Sequence, residues 1–407
     1  MTPTTKRHTG RLAAALLLLS SAAPTAAGEL SWSAEISGEV RAFPNRPAFP
    51  RQQGDALVPS VSVEPEVVTE WNDRRDRFTF VPFARLDAGD DARSHVDVRE
   101  ANWLHLEDNW DTVVGIAKVY WGVTESRHLV NIINQTDQVE DVDEEDKLGQ
   151  PMVNGNVTTD WGTFGLFILP GFRERTFADV EARLGGPLPI DDSHATYESA
   201  AEARHVDFAA RWRKTIGDWD VGLSQFIGTS REPRLIPTVR AGETVLVPHY
   251  EQIDQTGLDV QLTAGATLWK FEAITRGGQG DRFAAAVGGL EHTLYGVFES
   301  NADIGLLAEY LFDGRDNDRA PPTSADDDFF LATRLTLNDA QDTALLAGVI
   351  VDRDTQTTLF SIEAERRLGD SWKMEMEARL FLNVASEDPI SAVRNDDVIT
   401  LRLTRYF

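Results

Sequence analysis

The sequence predicts an all-β chain, a transmembrane antiparallel β-barrel of about 18 strands (16 if one boundary is misplaced), with short turns at one end and long loops at the other. Three observations predict it. Two-faced segments with a period of two run to the carboxyl terminus, as side chains alternate across a strand. The connections between them alternate between tight turns and long polar loops. Seven of the ten Trp fall at the short-turn ends of these segments.

The chain opens with Lys6, Arg7 and Arg11, then an apolar run from Leu12 to Leu19, then small residues. This pattern is a secretory signal over residues 1–27, with cleavage after Ala27 or Gly28, and the apolar run is too short to span a bilayer. Residues 28–407 form one barrel domain. Its short connections are Trp71 to Asp76, Leu106 to Asn109, Thr158 to Asp160, Gly217–Asp218, Ala264 to Ala266, Glu299 to Asp303, Asn338 to Asp342 and Leu368 to Ser371. Its long ones are Pro44 to Ala56, Ala88 to Ser94, Gly122 to Gln150, Gly171 to Ala203, Thr229 to His249, Arg276 to Arg282, Asp313 to Asp328, Asp352 to Gln356 and Asn383 to Asp396. Nine long and eight short connections give eighteen strands with both ends on the short-turn side, and Thr229 to Tyr250 is where a boundary error would arise.

The final strands show the two faces best. Trp372, Met374, Met376, Ala378, Leu380 and Leu382 oppose Lys373, Glu375, Glu377 and Arg379. Phe360, Ile362 and Ala364 oppose Ser361, Glu363, Glu365 and Arg367. In the last strand Ile399, Leu401, Leu403 and Phe407 share a face, and Arg405 interrupts it near the interface, where a long cationic chain can snorkel. Trp32, Trp110, Trp161, Trp219, Trp269 and Trp372 begin strands leaving the short-turn side, and Trp71 ends one arriving there, which is the pattern of an interfacial aromatic girdle.

Composition narrows the function. There is no Cys, which excludes disulfides, thiolate metal sites and Cys nucleophiles. The net charge of −27 excludes nucleic acid as a natural partner. The mean hydropathy of −0.30 fits a barrel whose strands face water on one side. The motifs G-x-S-x-G, Walker A, H-E-x-x-H and the dinucleotide fingerprint are missing from the sequence, so no catalysis and no cofactor are expected. His95 and His105 share a face but stand ten residues apart, too far for one metal. Asp313 to Asp318 and Asp326 to Asp328 are acidic loops able to hold Ca²⁺ loosely, without the EF-hand Glu.

The most distinctive stretch is Gly115-Ile-Ala-Lys-Val-Tyr-Trp-Gly122, followed by the Asn/Asp-rich Asn131 to Asp137, Lys147-Leu-Gly-Gln-Pro-Met-Val153, Trp161-Gly162 and Pro170-Gly-Phe-Arg-Glu-Arg175. It resembles the porin-type, alginate-export-like barrels of Gram-negative outer membranes, over about a fifth of the chain by motif and over the whole chain by architecture. The terminal strand ending on Phe407 resembles the assembly signal of such barrels. The resemblance implies an outer-membrane channel whose long loop folds inward, surrounded by lipid and lipopolysaccharide and inserted by the barrel assembly machinery. The chain departs from the alginate exporters in being far more acidic.

The expected function is therefore passive passage of small polar solutes or an exported polysaccharide. The expected lumen set is Asp97, Arg99, Asp207, Arg211, Arg213, Arg334, Glu363, Glu365, Arg367, Lys373, Glu375, Glu377, Arg379 and Arg402. Loop 122–150 is expected to constrict the bore through His128, Asn131, Asn134 and Asp137, with the acidic run Glu140 to Asp146 left near the mouth; loop 171–203 is the other long connection. A hydrolytic barrel enzyme and a structural or adhesive barrel without an open pore are the alternatives.

Overall fold

The computed structural model describes residues 28–407 apart from residue 142; the expected signal, residues 1–27, lies outside the described residues. The first seven strands are β1 (Glu29–Ala42), β2 (Leu57–Trp71), β3 (Asp76–Asp87), β4 (Val96–Leu106), β5 (Trp110–Ala117), β6 (Gln150–Thr159) and β7 (Gly162–Pro170). After the two-residue β8 (Thr196–Tyr197) come β9 (Val206–Ile216), β10 (Trp219–Thr229), β11 (Arg234–Arg240), β12 (Glu243–Tyr250), β13 (Gln252–Ala264) and β14 (Thr267–Gly277). The chain ends with β15 (Phe283–Leu294), β16 (Asp303–Asp313), β17 (Asp327–Thr336), β18 (Ala344–Asp352), β19 (Thr358–Arg367), β20 (Trp372–Leu382) and β21 (Val398–Tyr406).

Eighteen of these form one sheet, each pairing antiparallel with the next along the chain. The ring closes where β21 pairs with β1, from Glu35 opposite Tyr406 to Ala42 opposite Ile399. A hydrogen bond from Phe407 N to Ala34 O (3.0 Å) continues that seam, so the terminal aromatic is part of the closure. A closed ring leaves no edge strand, which is what a β structure in lipid requires.

The turns fall where the sequence places them. Thr229 to Tyr250 holds a hairpin of its own, β11 with β12, which adds β8 and stays outside the barrel. Its two-residue turn, Ala241-Gly242, has φ of 52° and 86°, the left-handed pair that a tight hairpin needs. The count therefore stays at eighteen.

The outward face carries the apolar belt: Val61, Leu166, Phe208, Leu223, Leu306, Phe329, Leu331 and Leu401 are all exposed. Trp32, Trp71, Trp110, Trp161, Trp219 and Trp269 are exposed at the short-turn rim. Arg405 does not break the belt: its guanidinium lies over the rings of Trp372 (5.2 Å) and Phe407 (4.9 Å), so the girdle itself accommodates the cation. A ring with this outer surface is built to sit in a bilayer.

The inward face is unusual. Phe226, Ile274, Leu307, Leu311 and Phe330 point into the outer half of the barrel and are buried there. Apolar residues on the face away from lipid need a covering, and the long β5–β6 connection supplies it.

Candidate functional site

After Ala117 the chain leaves the wall, crosses the bore and returns at Gln150 to begin β6. Its apolar residues pack against the inward face: Leu129, Val130, Ile132 and Ile133 form one buried cluster with Phe167, Phe226, Ile274, Leu307 and Phe330. Val130 and Ile133 are 0 % exposed. Burying a side chain of this kind stabilises by roughly 1.5–3 kcal/mol, so four of them anchor the loop firmly.

The neck of the loop is tied by Asn134. Its Nδ2 donates to Ala117 O and Leu148 O, both at 2.9 Å, and its Oδ1 accepts from Val119 N at 2.8 Å. One amide thus joins the outgoing and returning chains. Asn131 Oδ1 accepts from Trp121 N (3.5 Å). His128 meets the Tyr120 hydroxyl and, through Nε2, Glu145 (3.1 Å). Asp137 pairs with Arg99 and accepts from Thr176 Oγ1 (2.8 Å). All four residues expected in the inward loop are inside the barrel.

The far tip is seated by two carboxylates that the sequence reading missed. Glu272 on β14 accepts from Val123 N (2.7 Å), Thr124 N (3.1 Å), Thr124 Oγ1 (2.8 Å) and Val130 N (3.2 Å). Glu309 on β16 accepts from Glu125 N and Ser126 N (both 2.8 Å) and Ser126 Oγ (2.6 Å). Donors that a wet loop would offer to water are satisfied here by fixed anions. Glu309 is flanked on its face by Leu307 and Leu311, whereas Glu272 lies between Lys270 and Ile274. A charge between two leucines, as at Glu309, was the available signal.

On the other side of the bore the loop meets arginines. Arg85 reaches Glu140 (2.7 Å) and Glu39 (3.4 Å), and Arg93 reaches Glu39 (2.8 Å) and Asp87 (2.7 Å). Arg379 contacts Asp141 (3.4 Å), Asp143 (2.7 Å) and Glu377 (3.1 Å). The acidic run therefore does not stand free at the mouth: Glu140 is 4 % exposed, and arginines meet Glu140, Asp141 and Asp143. Among the described residues of the run only Glu144 to Asp146 are exposed, and Arg175 pairs with Glu144 (3.0 Å). The physical reason is that strand arginines on the inward face need counter-charges once the loop excludes water from them.

The expected lumen residues all face inward, in two tiers. Arg99, Asp207 and Arg379 are buried in the outer half, and Asp97 is half-buried beside them. Asp97 pairs with Arg99 (3.1 Å) and Arg173 (2.7 Å), and Asp207 with Arg231 (2.7 Å). Below the loop lies an open vestibule. A cavity of about 370 Å³ is lined by Glu125, Arg334, Glu363, Glu365, Glu375, Glu377 and Arg402. Lys373 bridges Glu365 (2.7 Å) and Glu375 (2.9 Å), and Arg402 reaches Glu39 (3.0 Å). Arg211 and Arg213 line a second cavity, about 510 Å³, at the short-turn end, where Arg211 pairs with Asp259 (2.9 Å). Arg367 stands at the rim, paired with Asp342 of a short turn (3.0 Å). A separate small cavity of about 10 Å³, room for about one water molecule, lies among Arg41, Asp141 and Arg379 and shares Glu377 and Thr400 with the vestibule lining.

His95, Asp137 and Glu140 bring three metal-ligand atoms within 4.8 Å of one another, a juxtaposition that sequence spacing could not show. Both carboxylates are already engaged by guanidinium groups, Arg99 on Asp137 and Arg85 on Glu140, so the arrangement is an ion-pair web. Of the acidic loops expected to hold Ca²⁺, Asp313 is occupied by Arg127 (3.1 Å) and Arg315 (2.8 Å).

No known family profile matches the sequence, and no curated protein matches it. Solved structures do match. OpdO of Pseudomonas aeruginosa superposes with a TM-score of 0.52 and 9 % identity, over 93 % of this chain and 96 % of its own. This chain has the fold of the outer-membrane porins. Wzi of Escherichia coli, described as an outer-membrane carbohydrate-binding β-barrel involved in group 1 capsule assembly, gives 0.51 and 10 % identity over 92 % of this chain and 84 % of that one. A variant of the Rh. blastica porin covers 93 % of this chain and 100 % of its own at 12 % identity and 0.44. At these identities the likeness is one of fold, and the porin-type barrel described here carries its own lumen chemistry.

Proposed function

We propose that this porin-type barrel is a narrow outer-membrane channel for small polar solutes, with loop 118–149 as the constriction and no catalytic step. The observation that carries the reading is the loop itself, bound across the bore by Glu272 and Glu309 at one side and by Arg85 and Arg379 at the other. A loop held at both walls sets the diameter. Because the acidic run is met by arginines, the sign of selectivity falls to the vestibule, where Glu363, Glu365, Glu375 and Glu377 outnumber Lys373 and Arg402. Small cations and neutral sugars are favoured over anions, and the loop bound across the bore disfavours an extended polysaccharide. Insertion proceeds through the β21 seam ending on Phe407, with lipid and lipopolysaccharide around the apolar belt.

Swelling of liposomes loaded with the purified barrel tests this. Entry of small neutral solutes that falls off steeply with size is expected. Entry of large oligosaccharides, or anions entering faster than cations, overturns it. The complete burial of Val130, Ile133 and Asp137 favours a second reading, a barrel closed at rest with no open pore, and the absence of any swelling selects it.

A further inference from the structure

The ladder of the barrel wall is interrupted between β2 and β3. In the β2–β3 ladder Val63 faces Ala84 and Val67 faces Phe80, but residues 64–66 and 81–83 between them make no pairing, although the register is unchanged. At the centre of this gap Pro65 stands opposite Pro82. In an antiparallel pair alternate positions exchange both N–H···O bonds. Two prolines at such a position remove both donors, which also unmakes the bridges on either side. The next wall segment is loose too. The β4–β5 ladder begins only at Ala101 opposite Ile116, because the chain turns inward after Ala117, and the β3–β4 register shifts between Val81 and Pro82.

A groove of about 640 Å³ occupies this breach. Its outer part is apolar and belongs to the lipid-facing side: Val63, Pro65, Ala84, Val96 and Val98, with Val96 81 % exposed. Its inner end is reached by three residues of the lumen side, Phe83, Asp97 and Arg173. Arg173 donates to Asp97 Oδ1 (2.7 Å) and to Gly149 O (3.0 Å), and the Arg99 guanidinium lies 4.2 Å from the Phe83 ring centroid. The slot thus runs from membrane hydrocarbon to the Arg173–Asp97 ion pair.

We infer that this breach is a lipid-binding slot that takes one acyl chain from the surrounding leaflet into the barrel wall. The occupant follows from the setting. The mouth opens on the apolar belt, where hydrocarbon is the solvent, and the volume is that of an ordinary small-molecule site. The two absent backbone bonds loosen the ladder without leaving an N–H donor facing the hydrocarbon, and the Arg173–Asp97 ion pair closes the inner end of the slot. Such a chain would touch the residue that holds Gly149, where the constriction loop re-enters the wall.

The test uses the purified full-length barrel in phospholipid nanodiscs, with a palmitate analogue carrying a diazirine in its chain as photoprobe and the adducts mapped by peptide mass spectrometry. Adducts concentrated on Phe83, Asp97 and Ala84 are expected, as is their loss in Ala84→Trp and in Val96→Trp, the second of which lies at the exposed mouth and leaves the wall intact. Heat-modifiable migration shows that each variant is folded. Adducts no more frequent at Phe83 than at belt residues such as Leu401 and Phe329, or persisting at Phe83 in both folded Trp variants, would show annular lipid only and overturn the inference.

Discussion

Glu272→Ala should release the constriction loop while leaving the barrel closed. In the parent this carboxylate satisfies Val123 N, Thr124 N and Val130 N besides the Thr124 hydroxyl. Truncation leaves three backbone donors without an acceptor, the Thr124 and Val130 ones buried and the Val123 one part-buried, at roughly 1–3 kcal/mol each, or roughly 3–9 kcal/mol together. The opposing term is the burial of Leu129, Val130, Ile132 and Ile133, roughly 6–12 kcal/mol on the same scale before the entropy of ordering the loop is subtracted. Even the lower cost raises the undocked population about 100-fold. Trypsin reads this out at Arg127, which in the docked loop is paired with Asp313 and hydrogen-bonded to Ala325 O (3.2 Å). Rapid cleavage after Arg127 in Glu272→Ala is expected, with intermediate cleavage in Glu272→Gln, which keeps one acceptor. If Glu272→Ala migrates as a folded barrel and its Arg127 bond stays as protected as in the parent, the carboxylate does not seat the loop.

Three further outcomes are expected. Leu401→Asp with Leu403→Asp puts charge on exposed lipid-facing positions beside the seam, at about 2–4 kcal/mol each near mid-bilayer, and should abolish the heat-modifiable form on gels; normal migration would contradict the lipid-facing assignment. On intact cells an impermeant maleimide should label Asp318→Cys in the long β16–β17 loop and miss Gly369→Cys in the β19–β20 turn; the reverse pattern would invert the topology. Docking of the loop should weaken as pH rises from 5 to 8. Burial and the neighbouring Asp141, opposed by Arg379, push Asp143 up to about 7, so the folded state binds the extra proton between about pH 4 and 7 and loses that advantage above it. Burial alone would lower His128, but the hydrogen bond and charge of Glu145 outweigh it and raise it, so its contribution is present below about pH 6.5 and lost as pH rises through its raised value. Hydrogen exchange across residues 128–136, corrected for intrinsic rates, should be faster at pH 8, with a smaller change in Asp143→Asn; equal protection at both pH values would contradict this.

The barrel was legible because its cause is local. A period of two shows in most strands, although β18 is apolar on both faces, and a turn such as Leu368-Gly-Asp-Ser371 is marked by its own residues. The closing β21 was readable from one face of three apolar residues, Ile399, Leu401 and Leu403, and a terminal Phe. The inward loop was legible from the helical-spaced apolar residues beside Asn131 and Asn134, which needed a place combining apolar surface and polar partners. What it docks on was not, because Glu272 and Glu309 lie 148 and 184 residues from the donors they meet at Thr124 and Glu125. The fate of the acidic run was hidden for the same reason: Glu140 meets Arg85 and Asp143 meets Arg379 only after the ring has closed. The Pro65–Pro82 breach needs the β2–β3 register, which no single strand reveals.

The central claim is that loop 118–149 sets the bore. Single-channel recording in planar bilayers compares the parent with a variant lacking residues 128–136, which include Val130 and Ile133, the two fully buried apolar anchors, and the Asn134 tie. The parent should show a small, cation-preferring conductance or rest closed, and the deletion should show a large, steady one. Equal conductance from two correctly folded barrels would place the loop outside the conducting path and contradict the account.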